Sequence, residues 1–414
     1  MRTGNKLKIL LVGHACSPRM GSEPSFTWNW AWHLSARHRV WLLAHPHDRE
    51  GVEQFLATHP NPNLNITWVT PPAWLDPWNP SQNGHLIYPH YLLWQRSVLA
   101  RARHLHAEIG FDLMHHVSWG SISVPPLLWK LPVPLVWGPV GGGQVAPSSF
   151  RRYFGSAWRG ESVRSLRVRV AAQRPALRRA ARHAALVLAT NRETAQLLER
   201  AGGRVRLFLD SGVPSGFLSD TAPQRNAEGA VKVLWAGRLV PIKALRLALE
   251  AFAQVRELSV ELCVAGDGPL RSESERLAAE LGLNGRVRFL GRVPWEQMPR
   301  IYEQSHAFLF TSLRDSFGTQ VLEAMASALP IITLDHQGVG TFVPVEAGIK
   351  VPLSTPEETV AGLAQAIRQL AMSPETRHRL GRVAWQFAQG QTWPHRAEVM
   401  TQLYEETLHA NDRR

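Results

Sequence analysis

Cysteine is nearly absent from this 414-residue chain, with Cys16 and Cys263 the only two. So little cysteine excludes a disulfide framework and a cysteine-based zinc site, and a reducing, cytoplasmic setting is the expectation. Long apolar runs are missing as well. No stretch approaches the ~20 apolar residues that a spanning helix needs. The first apolar run, Ile9 to Gly13, is too short for the core of a signal peptide and ends at His14. A soluble or membrane-peripheral protein is expected. There is no internal repeat and no low-complexity tail. Acidic side chains are in deficit: 33 Asp+Glu against 46 Lys+Arg give a formal charge of +13. That balance points to an anionic partner and says nothing of fold.

What is present is a regular alternation. KILLVG, HRVWLLAH, LNITWVT, FDLMHHV, PLVWGPV and ALVLAT predict strands in a first half. VKVLWAGR, VELCVAGDG, RVRFLGRV, AFLFTS, LPIITLD and IKVPL predict strands in a second. Most are apolar on both faces and separated by helical patterns, the signature of parallel sheets covered by helices. The expected class is α/β, with two doubly wound, Rossmann-like domains. The polar, Pro/Gly/Ser-rich stretch 212–229 reads as a linker between a domain over 1–211 and another over 230–388, with a C-terminal helix over 389–414.

The segment from Phe150 to Arg182 holds ten arginines against the single acid Glu161. It includes a helical pattern with Val163, Leu166 and Val170 on one face. Two readings stand: a solvated helix covering the N-terminal sheet, or an interfacial helix that docks on anionic lipid. No aromatic stacking pattern interleaves with the arginines and no recognised nucleic-acid-binding motif occurs, so no nucleic-acid partner is expected.

Loops that follow strands in parallel sheets are where ligands bind. In VLWAGRLVPIKALRLALEAF such a loop carries Arg238 and Lys243, two cations suited to a pyrophosphate. Gly266 and Gly268 follow the next strand and imply close backbone approach without completing a dinucleotide fingerprint. SLRDSFGTQVLEAMASALP sets Asp315 in a loop and Glu323 inside a helix that starts near Phe317-Gly318, where free amides attract an anion. The spacing alone leaves open an acid/base pair, unrelated surface acids, or two grips on one long ligand.

GRLVPIK, VAGDGP, RVRFLGRVP and SLRDSFGTQVLEAMASALPII, in that order, resemble the C-terminal half of family 4 glycosyltransferases. These are retaining, GT-B enzymes that use nucleotide-sugars. GSEPSFTWNWAWHLSARHRVWLLA, FDLMHH and LVWGPVGGG resemble the N-terminal half of a bacterial, polysaccharide-type subgroup. The resemblance implies that Arg238 and Lys243 neutralise the donor diphosphate, that amides at Gly318 and Thr319 beside Phe317 cradle a phosphate, and that Glu323 holds the ribose. Asp315 would hold the transferred sugar and backbone at Arg292-Val293 the base. Gly21-Ser22 and Gly141-Gly142 would line the donor or acceptor site, and His115 or His116 would contact the donor sugar. The sequence departs from the family in three ways. Asp315 stands for the usual Glu. Val117 breaks the D-x-x-H-x-H pattern. Ala244 and Ala328 occupy positions where glycine is common.

The implied partners are a UDP- or GDP-sugar donor and a glycan or lipid-linked acceptor, with no cofactor and no metal. The active site is expected between the domains. A 2-epimerase-like isomerase, a non-catalytic sugar-nucleotide or glycan binder, and a nucleic-acid binder are the rivals.

Overall fold

The computed structural model describes residues 6–21, 23–76, 78, 86–219, 221–223 and 229–412. The chain divides into two units, neither contiguous in sequence. Unit 1 comprises residues 1–143, 168–210 and 393–414, and unit 2 comprises residues 144–167 and 211–392.

Unit 1 is built on seven strands: β1 (Lys8–Val12), β2 (Arg39–Ala44), β3 (Leu64–Trp68), β4 (Leu113–His116), β5 (Leu135–Val140), β6 (Leu186–Ala189) and β7 (Val205–Leu207). Every neighbouring pair is parallel, in the order β3-β2-β1-β4-β5-β6-β7. Helices α1 (Glu23–Ser35), α2 (Arg49–Thr58), α3 (Ile87–Ile109), α4 (Trp158–Arg169), α5 (Pro175–His183) and α6 (Arg192–Arg200) occupy the first part of the chain. Unit 2 has six parallel strands: β8 (Val231–Ala236), β9 (Val260–Ala265), β10 (Val287–Gly291), β11 (Ala307–Phe310), β12 (Ile331–Leu334) and β13 (Gly348–Val351). Their order is β10-β9-β8-β11-β12-β13. Around them lie α7 (Leu245–Ala253), α8 (Arg271–Glu280), α9 (Met298–Glu303), α10 (Thr319–Ala326), α11 (Gln337–Phe342), α12 (Pro356–Met372) and α13 (Pro374–Gln389), and α14 (Trp393–Asp412) ends the chain.

The continuous apolar strands follow from burial on both faces: β4, β5, β6, β11 and β12 are buried along their whole length. In each sheet the winding reverses once, between β1 and β4 and between β8 and β11. Such switch points open a crevice beyond the strands' carboxyl ends. Helix α14 belongs to unit 1. Its Trp393, Met400 and Tyr404 join the core of β1, β2 and α1, with Trp393 edge-on to Trp30 at 5.3 Å.

Three features differ from the sequence reading. β7 is an edge strand that the pattern does not predict, because its three residues, Val-Arg-Leu, are half-buried or exposed. The first part of the arginine-rich segment does not cover the N-terminal sheet. Ala146, Phe150, Tyr153 and Phe154 sink into the core of unit 2, and buried Glu161 pairs with Arg314 (2.9 Å) and Arg164 (3.6 Å) of that same unit. Part of the expected linker is also packed. Val213 bridges Thr392, and Phe217 lies against Trp295 and Tyr302. Among the described residues, no helix is long and apolar enough to cross a membrane.

Candidate active site

In unit 2 the switch point is bounded by the loops after β8 and β11. Arg238 is exposed just beyond β8. A single 3-10 turn, Pro241–Lys243, then leads into α7 through Ala244 in a left-handed conformation (φ 47°). This explains why glycine is common there: a Cβ in that region is strained. Ala328, the other departure, is also left-handed, at φ 55°.

Lys243 lies over the Phe310 ring at 5.3 Å and forms an ion pair with Asp315. The second Asp315 oxygen accepts the Ser316 amide (3.0 Å), while the Asp315 amide donates to the side chain of Gln337 (2.8 Å). Gln337 donates in turn to the carbonyls of Val145 and Leu313. The structure therefore brings together two groups that the resemblance assigns to different parts of a donor. Gln337 was not legible as a site residue, since its role depends on contacts 22 to 192 residues away.

Phe317 is fully buried and edge-on to Phe342. Gly318 caps α10 at φ 99°, and a Cβ there would meet Phe310 at 2.7 Å, so only glycine fits. No side chain caps α10 and no acid sits in its first turn. Its opening amides are left for an anion. One turn on, Glu323 is buried. It accepts hydrogen bonds from Trp295 Nε1 (3.2 Å) and Tyr302 Oη (2.8 Å). Burial raises its pKa, and these two donors oppose the rise. Arg292, exposed, and Val293, half-buried, follow β10 and lead to Trp295. The close approach expected at Gly266 and Gly268 is to this chain's own backbone: added Cβ atoms would lie 1.9 Å from Gly237 O and 2.6 Å from Leu239 O.

In unit 1 the switch point lies between the ends of β1 and β4. The two histidines that end β4 differ sharply. His115 uses both ring nitrogens, Nδ1 with Tyr404 Oη and Nε2 with Gly138 O, each at 2.6 Å. Gly138 O can only accept, so Nε2 carries a proton, and the Tyr404 contact pins α14 to the sheet. His116 has Nε2 2.9 Å from Tyr91 Oη, while its buried Nδ1 has no partner. Burial depresses both, to about 4 for His115 and about 3 for His116. Neither carries a positive charge near neutrality.

Beside them His14, at the end of β1, stacks on His45 at 5.0 Å, and its Nε2 is 3.0 Å from His90 Nε2. Burial pushes His14 down to about 2 and His45 to about 4.

Nothing would obstruct a Cβ at Gly21, so no close approach demands glycine there; Ser22 lies outside the described residues. Gly141 exchanges backbone hydrogen bonds with Gly120 and Ile122. Gly142 is left-handed (φ 98°), with a Cβ position 3.0 Å from Ser121 Oγ. These glycines pack on their own unit's neighbouring loop.

The family model for glycosyl transferases group 1 matches residues 219–386. Over that stretch the chain is similar to the group 1 glycosyltransferases. D-inositol 3-phosphate glycosyltransferase of Corynebacterium efficiens is 30% identical over 187 residues, 43% of this chain and 43% of that protein. The chain thus matches less than half the length of this curated relative. Along its whole length the fold is shared with solved structures. Sucrose-phosphate synthase from Thermosynechococcus elongatus superposes with a TM-score of 0.66 at 20% identity, covering 98% of this chain and all of that one. HepE of Anabaena, solved with UDP and glucose, gives 0.60 at 17% identity with the same coverage. The two-domain GT-B architecture of these solved structures is the fold of this chain.

Proposed function

We propose that this chain transfers a sugar, with retention of anomeric configuration, from a UDP- or GDP-sugar to a hydroxyl of a glycan or lipid-linked acceptor. The observation that carries the reading is the uncapped start of α10, preceded by the Lys243–Asp315 pair and followed one turn on by Glu323, inside the stretch similar to the group 1 glycosyltransferases.

The donor roles are these. Lys243 and Arg238 neutralise the diphosphate, whose negative charge grows as the glycosidic bond breaks. The amides of Gly318 and Thr319 take a phosphate oxygen. Glu323, with one lone pair on each oxygen already committed to Trp295 or Tyr302, accepts the ribose hydroxyls with those that remain. Without donor, Asp315 neutralises Lys243. A diphosphate takes the lysine over and frees Asp315 to accept hydroxyls of the transferred sugar. His116, at the end of β4, keeps a neutral imidazole at the carboxyl edge of the first sheet. Positioning and charge stabilisation supply the catalysis.

The reading is tested by thermal shift over a panel of nucleotide-sugars, since a ligand at about 100 times its Kd adds about 2.7 kcal/mol to stability. A donor should raise Tm in the wild type and much less in Lys243→Ala. A panel in which no nucleotide-sugar stabilises the wild type refutes it.

The location belongs to the same proposal: peripheral, on the cytoplasmic face of an anionic membrane. On and just beyond α4, Val163, Leu166 and Val170 are 51%, 61% and 44% exposed, flanked by exposed Arg159, Arg167, Arg169 and Arg174. Apolar residues among cations suit the lipid interface. Co-sedimentation with phosphatidylserine vesicles that weakens with salt supports it; equal absence of binding to anionic and neutral vesicles rules it out.

A further inference from the structure

The donor machinery leaves one carboxylate of unit 1 unexplained. Glu23 opens α1, immediately beyond the loop that follows β1, at the edge of the sheet where ligands bind in this topology. Its Oε1 accepts the amide of Gly120 at 3.0 Å. No cation acts on it: burial raises its pKa, the Gly120 amide opposes that, and among the described residues it forms no ion pair. A carboxylate held at a sheet edge without a counter-charge costs stability unless a ligand's donors use it.

Aromatic surface lies next to it. Trp119, the neighbour of Gly120, is half-buried and stacks on Tyr91 at 4.5 Å, and Tyr91 lies close enough to feel the charge of Glu23. Tyr88, on the first turn of α3 and 51% exposed, meets Trp119 at 5.5 Å with the rings near perpendicular. Behind them stand His116 and His14, both held neutral.

We propose that Glu23, Trp119 and Tyr88 form the acceptor subsite, and that the acceptor there is an uncharged sugar ring. One hydroxyl of the ring donates to the Glu23 carboxylate, and its C–H face rests on the exposed aromatic surface. This deepens the glycosyl-transfer reading and rests on it. A phosphorylated ring is disfavoured by charge: it would meet the Glu23 carboxylate, while Arg19, in the same loop, is already paired with Asp48. The subsite therefore separates this chain from its curated relative, whose name specifies an inositol phosphate.

The substitution Glu23→Gln keeps an oxygen for the Gly120 amide and removes the charge, so it tests recognition without releasing the loop. Tyr88→Ala removes an exposed ring that the fold does not need. The measurement is saturation-transfer NMR with a panel of methyl glycopyranosides and with inositol 3-phosphate, on the full chain without donor. The wild type should bind at least one neutral glycoside and not inositol 3-phosphate. Glu23→Gln should weaken that binding about ten- to a hundredfold, the range for losing a hydrogen bond to a charged group. Tyr88→Ala should weaken it about three- to tenfold. Nucleotide-sugar thermal shifts should be unchanged in both variants. Undiminished glycoside binding in Glu23→Gln, no glycoside bound by the wild type, or preference for inositol 3-phosphate would each overturn the proposal. A wild type that ignores every nucleotide-sugar but binds glycosides through Glu23 would overturn the donor reading alone.

Discussion

The two units set opposite chemistries at the carboxyl edges of similarly wound sheets. In unit 2 the edge is ionic: Arg238, Lys243, Asp315 and Glu323 lie on loops and a helix start close to the switch point. In unit 1 the edge carries imidazoles, several held neutral by burial, and aromatic rings; Asp48 pairs with Arg19, Asp76 holds His90, and Glu23 forms no ion pair among the described residues. On the proposed reading, the contrast separates two tasks of a group transfer. A diphosphate is the same in every donor of its class and calls for fixed charges. An acceptor varies, and is told apart by shape, stacking and a few hydrogen bonds.

Acid should break the contrast first. His115 and His116 are neutral when folded and titrate near 6.5 when unfolded. Folded values below unfolded ones mean that their contribution is complete above about pH 6.5 and is lost as pH falls toward 4 and 3. By pH 5 the loss is on the order of 2 kcal/mol for each. His14 and His45 add to it in the same direction. Hydrogen exchange at pH 5 should show unit 1, which holds these four histidines, opening before unit 2. Simultaneous opening would erase the distinction.

Lys243→Ala is the corresponding blow to unit 2. The variant should lose about 10²- to 10³-fold in kcat, as expected when a group stabilising transition-state charge is removed, with a Tm close to wild type. A loss of stability comparable with the loss of rate would make the lysine an architectural residue. Within unit 1, His115→Leu should cost about 2–3 kcal/mol in denaturant unfolding, because Tyr404 Oη and Gly138 O lose their partner. His116→Asn should instead lower turnover with a smaller effect on stability. Equal effects would mean that the two histidines do the same job. The smallest effect concerns backbone: Ala244→Gly should relieve a left-handed alanine and stabilise by up to about 1 kcal/mol, read as a rise in the urea midpoint.

What could be read from the sequence follows the range of the interactions. Among the described residues, twelve of the thirteen strands were visible as local apolar runs, most plainly the five buried along their whole length; three-residue β7, half-buried or exposed at the edge, was not. Lys243, Gly318 and Glu323 were visible because strand, loop and helix start are contiguous in the chain. Trp295 and Tyr302, which hold the Glu323 carboxylate from 28 and 21 residues away, gave no local signal. Nor did the allegiance of the arginine-rich segment. It is decided by Phe150, Tyr153 and Phe154 finding the core of unit 2, and its charges, which dominate the sequence, do not report on that.

That allegiance has a consequence for modularity. The chain passes from one unit to the other at 143/144, 167/168, 210/211 and 392/393. A fragment ending near residue 211 would carry 144–167 without the core into which it folds and would lack α14, whose Trp393 and Tyr404 complete the first sheet's packing. A chimera made by exchanging halves with another protein of this fold at that position inherits both mismatches. Recombination that keeps the fold must therefore respect all four junctions, moving two pieces together for unit 2 or three for unit 1, so change comes more readily by substitution at the sheet edges than by swapping units.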